Sequence, residues 1–200
     1  MKKLFLSILA VAGLCMASCS GPEANNNNNE TTVNPSDMVV ENIMARRSIR
    51  KYKTDTLPQD ILDKIIECGI NAPNGRNQQN YEVKVVTDPT STAYLAEQLN
   101  GMYKAPAYLF IASKNEYDMS KIDVGLLSEN ICLSACAFGI GSICLGMPVR
   151  SLLDQPELLK KFNFSEGHEI CLVIALGYPD EAPEAKPRNP ERVQYMTILP

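Results

Sequence analysis

Apolar residues along this chain recur at two periods, and the switches between them mark out its elements. Ser36 or Asp37 can cap a helix that runs through Arg46, with Val39, Val40, Ile43 and Met44 on one face. Pro58 opens a second helix, where Ile61, Leu62, Ile65, Ile66 and Cys68 repeat at helical spacing until Gly69 or just beyond. Residues 72–80 hold a proline, an Asn-Gly pair and a cluster of amides, which predicts a loop. Tyr81 to Thr87 alternates as a strand does, and Pro89 with Ser91 leads into a short helix ending near Gly101. Pro106 to Ser113 is almost wholly apolar, the pattern of a central strand. Asp123 to Phe138 predicts a long helix whose lack of a polar face implies burial on all sides, as in a packing helix or a subunit interface. Gly139 to Ser142 ends it. Ile170 to Gly177 is a third strand and Val193 to Leu199 a weaker fourth. The sum is an α/β or α+β domain with few strands for its length.

The start of the chain belongs to none of these elements. Lys2 and Lys3 precede the apolar stretch Leu4 to Leu14, and Met16, Ala17 and Ser18 precede Cys19. This is a positive segment, a short apolar core and small residues before a cleavage point. The run is too short for a transmembrane helix. It is similar to a bacterial lipoprotein signal over 1–19, in which Cys19 becomes the lipidated first residue. Residues 20–35, with five consecutive asparagines at Asn25 to Asn29, cannot bury enough surface to order themselves and read as a tether to a membrane. The globular domain is then 36–200. The expected location is outside the cytoplasm, in the periplasm or at the outer membrane or cell surface.

The chain carries 19 basic and 23 acidic residues, and removing the signal takes away two lysines and no acid. That balance, with no zinc-finger spacing or aromatic-interleaved basic stripe, argues against nucleic acid. Outside the signal stand Cys68, Cys132, Cys136, Cys144 and Cys171, an odd set that disfavours a full disulfide framework in an exported domain. All but Cys144 have the apolar surroundings of small core residues. His168 is the only histidine, so no metal site is expected.

Against this acidic background Arg46, Arg47, Ser48, Ile49 and Arg50 place three guanidiniums and a hydroxyl in five residues. Such a cluster binds an anion or forms a solvated face. No Ser–His–acid or Cys–His set is easily built, a P-loop is absent, and Gly139 to Ser142 is no dinucleotide fingerprint. Missing a nucleophile and a base, the chain points to binding or to chemistry done by a cofactor. The arginine cluster, the amide loop at 73–80, the glycine segment at 139–146 and Lys186-Pro187-Arg188 together suit a cofactor with a phosphate and a flat polar heterocycle.

The chain resembles the nitroreductase family of FMN flavoproteins. The matches are Arg46-Arg47-Ser48-Ile49-Arg50, Ala72 to Gln79, Ala105-Pro106 opening a strand, and Gly139-Ile140-Gly141-Ser142. They continue with Gly167-His168-Glu169, Leu176-Gly177-Tyr178-Pro179 and Lys186-Pro187-Arg188, in the family's order. It departs at Asn80 and Tyr81, where proline and tryptophan are usual, and lacks the acid some members place near Cys144.

The resemblance implies an α+β, three-layer fold: a mixed, mostly antiparallel central sheet flanked by helices, in an intertwined homodimer with two flavins at the interface. It implies that Arg46, Ser48 and Arg50 bind the FMN phosphate and ribityl chain, that Arg47 lies near the ring, and that Lys186 and Arg188 close on the phosphate. Asn77 would bond the pyrimidine side of the ring, and Pro73, Asn74 and Gly75 would contact the flavin across the dimer. Cys144, Leu145 and Gly146 would lie beside the ring, with backbone N–H groups near N5. No side chain is then a catalyst. The expected reaction is ping-pong hydride transfer at N5 from NAD(P)H or another donor to a nitroaromatic, quinone or similar acceptor. Export would place the domain where NAD(P)H is scarce, which leaves the donor open. The alternatives are a flavin-dependent dehalogenase-type reductase, a flavin-binding module without turnover, or an anchored interaction domain.

Overall fold

The computed structural model describes residues 34–116 and 118–199. Cys19 and nearly all of the Asn-rich segment lie outside them. Asn34 and Pro35, assigned above to the tether, begin the first helix: the Asn34 side chain accepts from the Ser36 N–H, and α1 spans Pro35–Ala45. There follow α2 (Gln59–Ile70), β1 (Tyr81–Val86), α3 (Pro89–Gln98), β2 (Ala107–Lys114) and α4 (Ser120–Ala137). The domain closes with β3 (Gly141–Leu145), α5 (Met147–Leu153), α6 (Pro156–Lys160) and β4 (His168–Gly177).

The four strands lie in the order β1-β2-β4-β3, every neighbouring pair antiparallel. A single parallel bridge, Ser48 to Ser142, extends the β3 edge. The apolar run of β2 follows from its central place. Tyr108 and Phe110 enter one core with Leu95, Leu99, Ile143, Val149 and Leu152, while Leu109 and Ile111 enter another with Leu62, Ile65, Val124, Leu127 and Ile131. Helices α3, α5 and α6 therefore cover one face of the sheet, and α2 with α4 the other. This is the three-layer α+β fold expected.

Three expectations fail. Val193 to Leu199 forms no strand: a short 3-10 turn at Pro190–Arg192 is followed by unpaired chain, with Val193, Tyr195, Met196, Ile198 and Leu199 all exposed. Its alternation finds no sheet edge, and the fourth strand is instead β3, within the segment taken for a glycine turn. Helix α4 is not a central packing helix buried on all sides within one chain, which leaves the subunit-interface setting open. It buries Asp123, Ser120 and Ser128 on its inner side and leaves Ile122 and Leu126 exposed. The apolar face of α1 is likewise open, and α1 buries no residue.

Candidate functional site

The arginine run leaves α1 as an extended segment that lies along the β3 edge. The Ile49 N–H donates to the Ser142 carbonyl at 3.0 Å, and the buried Ile49 side chain packs on Gly141. A Cβ on Gly141 would stand 2.8 Å from Ile49 Cγ1, so only glycine allows this approach. Gly141→Ala is expected to cost about 1–3 kcal/mol through overpacking. Thermal unfolding should show it as a drop of several degrees in Tm; an unchanged Tm would contradict the packing.

The same segment docks the return of the chain after β4. Lys53 N–H donates to the Tyr178 carbonyl and Asp180 N–H to the Lys51 carbonyl, both at 2.9 Å. The Glu181 carboxylate accepts from the backbone N–H groups of Arg50 and Lys51. Tyr52 is half-buried beneath, its hydroxyl donating to the Ile49 carbonyl at 2.7 Å, and burial pushes its pKa well above the ordinary phenol value.

These contacts carry residues 183–188 back over the arginines. Arg46, Arg47, Ser48 and Arg50 line one cavity of about 390 Å³ with Lys186 and Arg188, against the walls Ile43, Met44 and Pro183. Five cationic side chains meet two carboxylates there, Glu129 and Glu184. Only Arg46 is paired, with Glu129 at 3.6 Å; among the described residues Arg47, Arg50, Lys186 and Arg188 have no carboxylate partner. The guanidiniums of Arg47, Arg50 and Arg188 bond nearby backbone carbonyls and retain further N–H donors. Such a donor set fits a phosphate monoester.

The amide loop stands apart. Asn74 and Asn77 line a separate hollow of about 550 Å³ with Lys64, Glu67, Asn71 and Gln79, and neither they, Pro73 nor Gly75 reaches the arginine cavity of the same chain. Gly75–Asn77 is one 3-10 turn, and Arg76, Asn77 and Gln79 take positive φ near 50° (53°, 53° and 51°). Strain of this kind costs roughly 1–3 kcal/mol per residue and persists only where neighbours enforce it. Here the Gly75 N–H donates to both oxygens of the buried Asp123 at 3.1 and 3.3 Å, and Asn74 Oδ1 accepts the Gln79 N–H at 2.9 Å. The Asn77 side chain makes no hydrogen bond among the described residues and is free for a ligand.

Cys144 and Leu145 belong to β3, and Gly146 caps α5. Leu145 is buried in the core, so its backbone alone is available, whereas Cys144 is exposed. Its sulfur faces that of the buried Cys132 on α4 at 3.8 Å. Hydrogen bonds from Cys144 and Ser142 hold the Cys132 pKa below the ordinary thiol value, and the interaction with Cys132 drives that of Cys144 up. Sequence reasoning missed Asp123, Glu129, Glu181, Glu184 and this thiol pair. No local motif marks them, because each acquires its role through a contact between distant segments.

The family described as "Putative TM nitroreductase" matches residues 38–197. The "Putative NADH dehydrogenase/NAD(P)H nitroreductase" of Archaeoglobus fulgidus is 31% identical over 171 residues, which cover 76% of this chain and 93% of that protein. The NADPH-flavin oxidoreductase of Vibrio harveyi is 27% identical over 173 residues, 77% of this chain and 71% of that protein. In fold, the chain is similar to a nitroreductase with bound FMN from Bacteroides fragilis (TM-score 0.72, 23% identity, covering 80% of this chain and 98% of that one).

Proposed function

Because the chain belongs to the TM nitroreductase family, we propose that it is an FMN-dependent oxidoreductase that passes hydride from NAD(P)H to a small acceptor such as a nitroaromatic or quinone. The observation that carries this reading is the convergence of Arg46, Arg47, Ser48, Arg50, Lys186 and Arg188, drawn from opposite ends of the domain, on one cavity. When bound, FMN supplies the two-electron chemistry, which accounts for the lack of a protein nucleophile and base. Arg46, Ser48 and Arg50 would hold the phosphate and ribityl chain, Lys186 and Arg188 would close on the phosphate, and Arg47 would lie toward the ring. A ping-pong reaction would have donor and acceptor use the bound FMN in turn.

A second copy of the chain supplies what one copy lacks. The cavity is walled by the exposed Ile43 and Met44, and Met38, Val39 and Val40 continue that apolar face. Exposed Ile122 and Leu126 on α4 and the apolar residues after Val193 add to the surface a homodimer would bury. In such a dimer the 73–77 loop of one copy reaches the cavity of the other, bringing its free Asn77 amide to the flavin. Lys2 to Cys19 supports export and lipidation at Cys19, with the domain held at the periplasmic, outer-membrane or outer cell surface.

Purified protein mixed with FMN and passed through gel filtration tests the reading. A flavin absorption band that travels with the protein is expected; a colourless protein peak after incubation with micromolar FMN would overturn it.

A further inference from the structure

We propose that Cys132 and Cys144 form a reversible dithiol–disulfide couple, closed by exchange with a small disulfide of the glutathione class. The two are brought together by the reversal between α4 and β3, which Gly139 N–H to Cys136 O (3.0 Å) and Ile140 N–H to Ala135 O (2.8 Å) hold in place. The sulfurs stand 3.8 Å apart, and a disulfide needs about 2.05 Å, a gap that side-chain rotation can close. One sulfur is exposed for attack on a disulfide, and the other is buried behind it, 2% accessible. Among the described residues this is the one pair of cysteine sulfurs in contact. Cys136 faces the Asn42 carbonyl at 3.8 Å and Cys171 faces the Ser113 hydroxyl at 3.2 Å.

The exchange balances. Cys132 ionises first, its proton going to solvent, and takes up the proton of the neighbouring Cys144, whose thiolate attacks one sulfur of RSSR; the S–S bond breaks and RS⁻ leaves, taking up a proton. Cys132 then releases that proton to solvent, attacks the Cys144 sulfur and expels the second RS⁻, which is protonated in turn. The two cysteines lose two electrons and two protons, and RSSR becomes two RSH. The closed bond ties α4 to the strand whose Ser142 and Gly141 seat Ile49, the residue between Ser48 and Arg50. The couple stands independently of whether that cavity takes a flavin.

The full chain, without added flavin, is incubated with oxidised glutathione, quenched in acid, alkylated and cut at Phe138 with chymotrypsin. The expected product is a Cys132–Cys144 linked peptide pair, assigned by fragment ions. Two titratable thiols are lost per chain and dithiothreitol restores them. Cys132→Ser should instead stop at a stable glutathione adduct on Cys144. A lasting adduct on Cys144 in the unsubstituted protein, both thiols left free, or a bond made through Cys136 would each overturn the proposal.

Discussion

Replacing Arg50 and Arg188 together by alanine is expected to weaken FMN binding at least about 30-fold while leaving riboflavin binding almost unchanged. Both side chains line the cavity, neither has a carboxylate partner among the described residues, and both are exposed. A hydrogen bond to a charged group contributes about 1.5–3 kcal/mol. Exposure lowers that figure, so about 1–2 kcal/mol for each arginine, or about 2–4 together, is a fair expectation at roughly tenfold per 1.4 kcal/mol. Riboflavin lacks the phosphate and separates loss of that contact from general damage to the cavity. Fluorescence quenching of each flavin on titration with protein gives both constants. Equal losses for FMN and riboflavin would show that the arginines do not meet the phosphate.

A charge on the open face of α1 should have the second large effect. Val40 is 58% exposed and lies outside the cavity lining, so Val40→Asp leaves the fold of a single chain intact. In a homodimer that buries this face, the same carboxylate loses its water without gaining a partner. Light scattering should give the dimer mass for the unsubstituted protein and the monomer mass for the variant, with dimer affinity reduced by at least about 100-fold, a cost of some 3 kcal/mol. Flavin retention should fall with it, because the 73–77 loop no longer reaches the cavity. A variant that stays dimeric would place the interface elsewhere.

How much of this was legible in the sequence differed by element, for physical reasons. β2 was plain because a strand buried on both faces needs apolar residues at every position from Ala107 to Ala112. β3 was not, because it is five residues long, begins at a glycine and follows the helix-ending Gly139, so only its pairing with β4 identifies it. Val193 to Leu199 shows the reverse error: alternation is necessary for a half-buried strand, but the residues also need an edge to pair with. Reading α4 as a helix without a polar face overlooked that small polar residues can be buried when they bond their own helix, as Ser128 Oγ does to the Val124 carbonyl at 2.6 Å.

The candidate site divides in the same way. Arg46 to Arg50 stood out locally, since three guanidiniums in five residues of an acidic chain are visible without any fold. That Lys186 and Arg188 join them depends on Asp180 and Glu181 docking onto the backbone of Arg50 and Lys51, which no spacing reveals. The 73–77 loop was recognised by composition, but composition did not show its separation from the arginines within one chain; only the family resemblance set Pro73, Asn74 and Gly75 across a dimer. The Cys132–Cys144 contact stayed hidden because β3 did.

The central claim is that the cavity holds a flavin that NAD(P)H can reduce, and an anaerobic half-reaction tests it most directly. Protein carrying FMN is titrated with NADPH or NADH under argon while the visible band is followed, and a nitroaromatic or quinone is then added. The account predicts that the band bleaches with one equivalent of nicotinamide and returns with one equivalent of acceptor. A band that bleaches with dithionite but is untouched by both nicotinamides would contradict it.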